Sequence, residues 1–190
     1  MSMTPEEYAE YQLNVFYGPA WLTRDTTLDQ FEYSGYQLGE KVNIMERVIH
    51  INCVNNPFKG MVPNLTGQDP YNPAADAKMT VDQFAYTNIA QKFNVAFILG
   101  GINFGTYAEI QAQIATVCRL LRTRDARMYW RAYTQPPPGS PPDFFSWDYN
   151  LQMSMAEEFG FQIIDIEADT GDTIYAEWLS LSRSSTYGTT

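Results

Sequence analysis

Histidine, cysteine and positive charge are scarce in this 190-residue chain, which has one His, two Cys, and 12 Lys and Arg against 22 Asp and Glu. Each scarcity excludes something. A lone histidine and two well-separated cysteines, Cys53 and Cys118, do not make a structural zinc site, and no metal is expected. The two cysteines sit in apolar segments and read as buried, reduced thiols of a cytoplasmic protein. The formal net charge of -10 repels phosphate backbones and anionic lipid, which disfavours a nucleic-acid partner. No apolar run of about 18 residues exists, so no membrane span is expected. The polar, acidic start Met1–Glu10 lacks the basic and apolar stretches of a signal peptide. No G-x-G-x-x-G follows a strand, which argues against a nicotinamide dehydrogenase.

What is present suits a packed α/β protein. Hydrophobic residues make up 45% of the chain and aromatics 15%, enough for one core at this length. Thr4-Pro5-Glu6-Glu7 reads as a helix start, with a hydroxyl cap, a proline at the first helical position and acids in the first turn. That helix is expected to reach about Phe16. Residues 17–46 read as one or two short helices packed on a sheet. Strands are expected at Arg47–Cys53, Leu65–Gln68, Lys78–Val81, Phe93–Leu99, Arg127–Tyr133, Phe161–Glu167 and Thr173–Leu179. Helices are expected at about Asp82–Gln91, Tyr107–Leu121 with Thr106 as cap, and Ser146–Phe159 ended by Gly160. Thr134–Asp143 is a proline-rich excursion, with Pro136–Pro142 a candidate lid or docking surface. Asp169–Asp172 is a hairpin turn. The chain is expected to form a single domain over 1–180, with 1–46 as its helical N-terminal segment and 181–190 as a flexible tail. Alternating strands and helices imply right-handed crossovers and a mostly parallel sheet. In such sheets ligands bind beyond the carboxyl ends of the strands.

Five segments, VIHINCVNNPFKG, NLTGQDPYNPAAD, KFNVAFILGGINFGTYAEI, RMYWR and FFSWDYNLQMSMAEEFGFQIIDIEADTGDTIYAEW, carry a family resemblance through their order and spacing. Over roughly 47–179 the chain resembles the class I SAM-dependent methyltransferases, especially small phage-encoded or bacterial ones. The resemblance implies a Rossmann-like three-layer sandwich with a mostly parallel seven-stranded sheet and a C-terminal antiparallel hairpin. It also implies S-adenosylmethionine as cofactor.

The family's cofactor loop reads acid-x-Gly-x-Gly after the first strand. Here His50 stands in the acid's place, and Asn52 and Val54 stand in those of the glycines. A branched valine resists positive φ, so the loop is altered where the methionine part would lie, and His50 reads equally as a satisfied core side chain. Asp69, with Tyr71 beside it, ends the second strand where a carboxylate suits ribose hydroxyls. It reads equally as a turn aspartate before Pro70. Asp82 follows the third expected strand, where relatives hold the adenine amino group. It also suits a helix cap. Gly100 opens the glycine turn after the fourth strand. Asn103 in that turn and Arg131 at the end of the next strand are candidates to meet the substrate, Arg131 by pairing with an anion.

The resemblance leaves two functions. One is a methyltransferase acting on a small-molecule or protein substrate. The other is a catalytically inactive relative serving as a binding or structural module, with a viral or homo-oligomeric partner and a place in a virion or the host cytoplasm.

Overall fold

The computed structural model describes residues 4, 7, 35–53, 56, 58–70, 72–88, 92–136, 143–168 and 173–180. Val54, Tyr71, residues 137–142 of the proline-rich excursion, the 169–172 turn and the 181–190 tail lie outside the described residues. So does the expected first helix, apart from Thr4 and Glu7. Those two form a reciprocal pair, Glu7 N–H to Thr4 Oγ1 at 3.1 Å and Thr4 N–H to Glu7 Oε2 at 2.8 Å, as a capping box requires.

The described elements are α1 (Gly35–Glu40), β1 (Val48–Ile51), β2 (Leu65–Gln68), α2 (Val81–Asn88), β3 (Val95–Leu99), α3 (Tyr107–Leu120), β4 (Ala126–Tyr133), α4 (Tyr149–Glu158), β5 (Gln162–Ala168) and β6 (Thr173–Ser180). They build one six-stranded sheet in the order β2-β1-β3-β4-β6-β5. β1 through β4 pair in parallel, and β6 runs antiparallel to both β4 and β5.

Alternation along the strands splits the interior. Ile49, Ile51, Ala96, Ile98, Met128, Trp130, Ala176 and Trp178 face α2, α3 and α4 and pack with Phe84, Ile114, Val117 and Met155. Val48, Val95, Phe97, Leu99, Tyr129 and Tyr175 face the other way and pack with Leu38, Phe58 and Val62. The near-continuous apolar run of β3 follows from burial on both faces. Trp130 lies between Trp147 and Trp178, with ring centroids 5.2 and 4.8 Å away, and this aromatic stack seats α4 on the sheet.

Local signals set the helix ends. Thr106 and Glu109 close a capping box at the start of α3, and Asp148 accepts from Leu151 N–H at the start of α4. Gly160 after α4 has φ +81°, the left-handed turn expected of it.

The expected seventh strand, Lys78–Val81, does not form. Just ahead of it, Ala77 makes a single bridge to Gln68. Asp76 and Ala77 N–H both bond Gly67 C=O, at 2.9 and 3.0 Å, and Asp69 N–H bonds Ala77 C=O at 3.0 Å. Thr80 then starts a helix. Its hydroxyl accepts from Gln83 N–H at 3.2 Å, while its own N–H bonds Gln83 Oε1 at 3.0 Å. This capping box draws Val81 into α2 and leaves β2 as the edge strand.

Candidate functional site

The strand order reverses at β1. The chain runs from β1 outward to β2, then returns to lay β3 on the other side, and this switch point opens a crevice beyond the carboxyl ends of the strands. The crevice encloses about 510 Å³ and is lined by Asn52, Pro70, Thr80, Val81, Asp82, Gly101, Phe104, Glu109, Ala112 and Gln113. Its floor is the turns after β1, β2 and β3. Its wall is the first turns of α2 and α3.

Asn52 stands at the centre of the floor. Its φ is +50°, in the left-handed region where asparagine is the commonest non-glycine residue. Asn52 N–H bonds Gln68 Oε1 at 3.0 Å, Gln68 Nε2 bonds back to Asn52 Oδ1 at 3.2 Å, and Asn52 Nδ2 bonds Gly101 C=O at 2.7 Å. Gln68 Nε2 also reaches Met79 C=O at 2.8 Å. Gly101 is required by space: a Cβ there would stand 2.5 Å from Ile51 O. Gly100 has φ +83° and donates its N–H to Arg131 C=O at 2.8 Å.

On the wall, Asp82 does not cap its own helix; Thr80 does. The Thr116 hydroxyl donates to the Asp82 carboxylate at 2.7 Å and accepts from Arg119 Nη2 at 3.1 Å, which ties α2 to α3. Glu109 turns its carboxylate back to Thr106 N–H at 3.2 Å. The N-terminus of α3 therefore already holds an anion of its own. Asp82 and Glu109 are the charged lining residues; neither Lys nor Arg lines the crevice among the described residues.

The other sequence candidates are placed differently. Asp69 is buried, and its Oδ1 accepts from Asn72 N–H, three residues on, at 3.0 Å, a local side-chain-to-backbone bond. His50 and Arg131 lie on the sheet face away from α2 and α3. The His50 ring packs edge-on to Phe58 and Phe97, at 5.7 and 6.0 Å. Burial, with Arg131 adding to it, holds His50 down from 6.5 to about 3. Arg131 is 4% exposed, with its guanidinium 5.6 Å from the Tyr175 ring centre. Asn103 is fully buried, its Nδ2 bonded to Tyr133 and Phe145 carbonyls at 3.2 and 3.0 Å. With Gly105 N–H to Asp143 C=O at 2.8 Å and Phe145 N–H to Asn103 C=O at 2.7 Å, it fastens residues 143–147 over the β3–α3 turn. Burial pushes the Cys53 thiol up, and the Asp69 and Asp76 carboxylates add to the shift, so it stays a protonated thiol rather than a nucleophile.

Of the sequence candidates, the crevice thus brings together Asn52 and Asp82, with Gly100 buried in its floor. It adds Pro70, Thr80, Gly101, Phe104, Glu109 and Gln113. Thr80 and Glu109 carry a signal, since T-x-x-Q and T-x-x-E are capping-box patterns. Gln68 carried none, because a single polar residue ending a strand does not reveal its partner.

No family model matches the chain, and no curated protein matches it in sequence. Solved structures do match, and the fold they share is that of the SAM-dependent methyltransferases. An O-methyltransferase family protein from Burkholderia thailandensis aligns with a TM-score of 0.62 at 10% identity over 94% of this chain and 60% of its own. The chain thus spans about three-fifths of that relative's length. The N-methyltransferase NodS from Bradyrhizobium japonicum, crystallised with S-adenosylhomocysteine, aligns at 0.57 and 11% identity, over 84% of this chain and 96% of its own. A 1,6-didemethyltoxoflavin-N1-methyltransferase from Burkholderia thailandensis, with its substrate and S-adenosylhomocysteine bound, aligns at 0.56 and 11% identity, over 96% and 92%. Their acceptors differ in kind.

Proposed function

We propose that this protein is a SAM-dependent methyltransferase whose crevice at the β1/β3 switch point takes S-adenosylmethionine. The observation that carries the reading is the crevice's charge. Its lining offers two carboxylates, Asp82 and Glu109, and no Lys or Arg among the described residues. The α3 N-terminus, the usual seat for a phosphate, is taken by the Thr106–Glu109 capping box. Nucleotides that bring phosphates find repulsion here. A ligand with a sulfonium and an ammonium finds attraction. The volume of about 510 Å³ is within the range of small-molecule sites.

Asn52, Thr80, Asp82, Gly101 and Phe104 would hold the cofactor, with Asp69 and Pro70 shaping the β2 end of the site. Bound there, S-adenosylmethionine supplies an electrophilic methyl group. The chain's share is to place an acceptor in line with it and to keep water away, which needs no catalytic base when the acceptor is already nucleophilic. His50 is buried on the other face of the sheet and its basicity is lowered by that burial, which argues against a role as base. The acceptor is a small molecule, as the substrate-bound toxoflavin relative exemplifies for its own site.

Isothermal titration tests the reading. S-adenosylmethionine is expected to bind saturably below about 1 mM, while NAD and ATP give no heat of binding. Absence of S-adenosylmethionine binding at that concentration refutes the reading. It would leave the inactive-relative alternative, which no feature of the crevice favours.

A further inference from the structure

We propose that Asn52 is a positioning residue that clamps the carboxyl ends of β1, β2 and β3 into a ready-formed crevice. Three observations carry this. The Asn52 backbone is left-handed, at φ +50°, a conformation asparagine holds at little cost. Its amide and carboxamide make three bonds, two shared with Gln68 and one to Gly101 C=O at 2.7 Å, joining turns that lie 16 and 49 residues away in the chain. Gly101 has approached so closely that an added Cβ would stand 3.1 Å from Asn52 Cβ and 2.5 Å from Ile51 O. Gln68, at 0% exposure, keeps Met79 C=O and the Asn52 N–H when the carboxamide is removed, but one hydrogen of its Nε2 is then left without its acceptor in a buried place, so the clamp opens at a real cost.

Asn52 is thus no eroded glycine. It supplies the left-handed turn that a glycine would supply, and it adds a side chain that spans the switch point. A ligand meets a fixed carboxamide there instead of bare backbone. Changing Asn52 to glycine is therefore expected to impair the crevice, whereas an eroded loop would be repaired by it. The ligand arm of the test rests on the S-adenosylmethionine reading; the backbone arm does not.

The test compares wild type with Asn52→Gly and Asn52→Asp. Hydrogen exchange of the ligand-free protein is followed over 79–82 and 100–105, with β3 as internal reference. S-adenosylmethionine affinity is measured by calorimetry. Asn52→Gly keeps the left-handed turn and the backbone bond to Gln68 Oε1, and loses the two carboxamide bonds, to Gln68 Nε2 and Gly101 C=O. Exchange is expected to speed about tenfold in both segments with β3 unchanged, and the Kd to rise about tenfold. Asn52→Asp keeps the acceptor for Gln68 but sets a carboxylate oxygen against Gly101 C=O. It is expected to behave like the glycine variant near neutral pH and to recover as its carboxyl group protonates and can donate again. Unchanged exchange in the two segments, exchange that rises equally in β3, or an Asn52→Gly protein that binds as tightly as wild type would each overturn the proposal. Failure of wild type to bind S-adenosylmethionine overturns the cofactor reading, and the exchange data alone then decide on Asn52.

Discussion

At the scale of single residues, burial decides which polar groups act and which only pack. His50 sits at 2% exposure between two phenylalanine rings, and no described partner bonds its Nδ1. Its pKa is lowered to about 3 by burial first and by Arg131 second. The unfolded chain therefore binds a proton below about pH 6.5 that the folded chain refuses. The stability His50 contributes is fully present above pH 6.5 and is lost as pH falls toward 3, at no more than about 1.4 kcal/mol per pH unit. Replacing His50 with leucine is expected to flatten this part of the acid limb, read as urea midpoints from pH 7 to 4. An unchanged slope would mean the imidazole titrates normally in the fold. The same measure explains why two of the sequence's substrate candidates fail to reach the crevice. Asn103 lies in the turn after β3, and Arg131 lies within β4 beside Leu99, the last residue of β3. Which face each side chain takes, and whether backbone carbonyls claim it, depends on partners remote in sequence.

At the scale of elements, what was legible was what is locally encoded. The start of α3 needed only Thr106 and Glu109, and the end of α4 only Gly160; each is correct to a residue or two. The strand β3 was legible because burial on both faces leaves an unbroken apolar run, whereas β4 and β6, which carry Arg127, Arg131 and Glu177, were legible from their aromatic and β-branched residues. The expected strand at Lys78–Val81 failed because a strand needs a partner along its length, and the Thr80–Gln83 capping box, which starts inside the segment, claimed its end for a helix. The Asn52 turn was legible in position but not in meaning, since a sequence shows an absent glycine and not a φ of +50°. Substituting Thr106 with alanine removes the side-chain acceptor at Glu109 N–H, 3.2 Å away. It is expected to cost about 1 kcal/mol, a fall in Tm of roughly 2–4 °C for a chain of this size. Calorimetric melting checks this, and a serine at 106 should recover most of the loss. No loss in the alanine variant would show that the α3 start is held by packing alone.

At the scale of the whole molecule, a net charge of -10 and a crevice walled by Asp82 and Glu109 act together on any cationic ligand. The long-range field raises its local concentration, and the wall carboxylates act at short range. Both fall as salt screens them over about 10 Å at 0.1 M. Binding of S-adenosylmethionine is therefore expected to weaken several-fold between about 0.01 and 0.15 M ionic strength, with most of the change in the association rate. Two isosteric substitutions isolate the wall. Asp82→Asn keeps an oxygen for the Thr116 hydroxyl, and Glu109→Gln keeps an acceptor for Thr106 N–H, since glutamine serves in a capping box. The double variant should fold with a Tm close to wild type while losing two negative charges from the crevice. If the wall attracts the cofactor by charge, the variant binds more weakly at low salt and converges on wild type at high salt. If it keeps the wild-type salt dependence, the wall has no electrostatic part in binding. The attraction would then belong to the molecule's overall charge, or the ligand would carry no net positive charge.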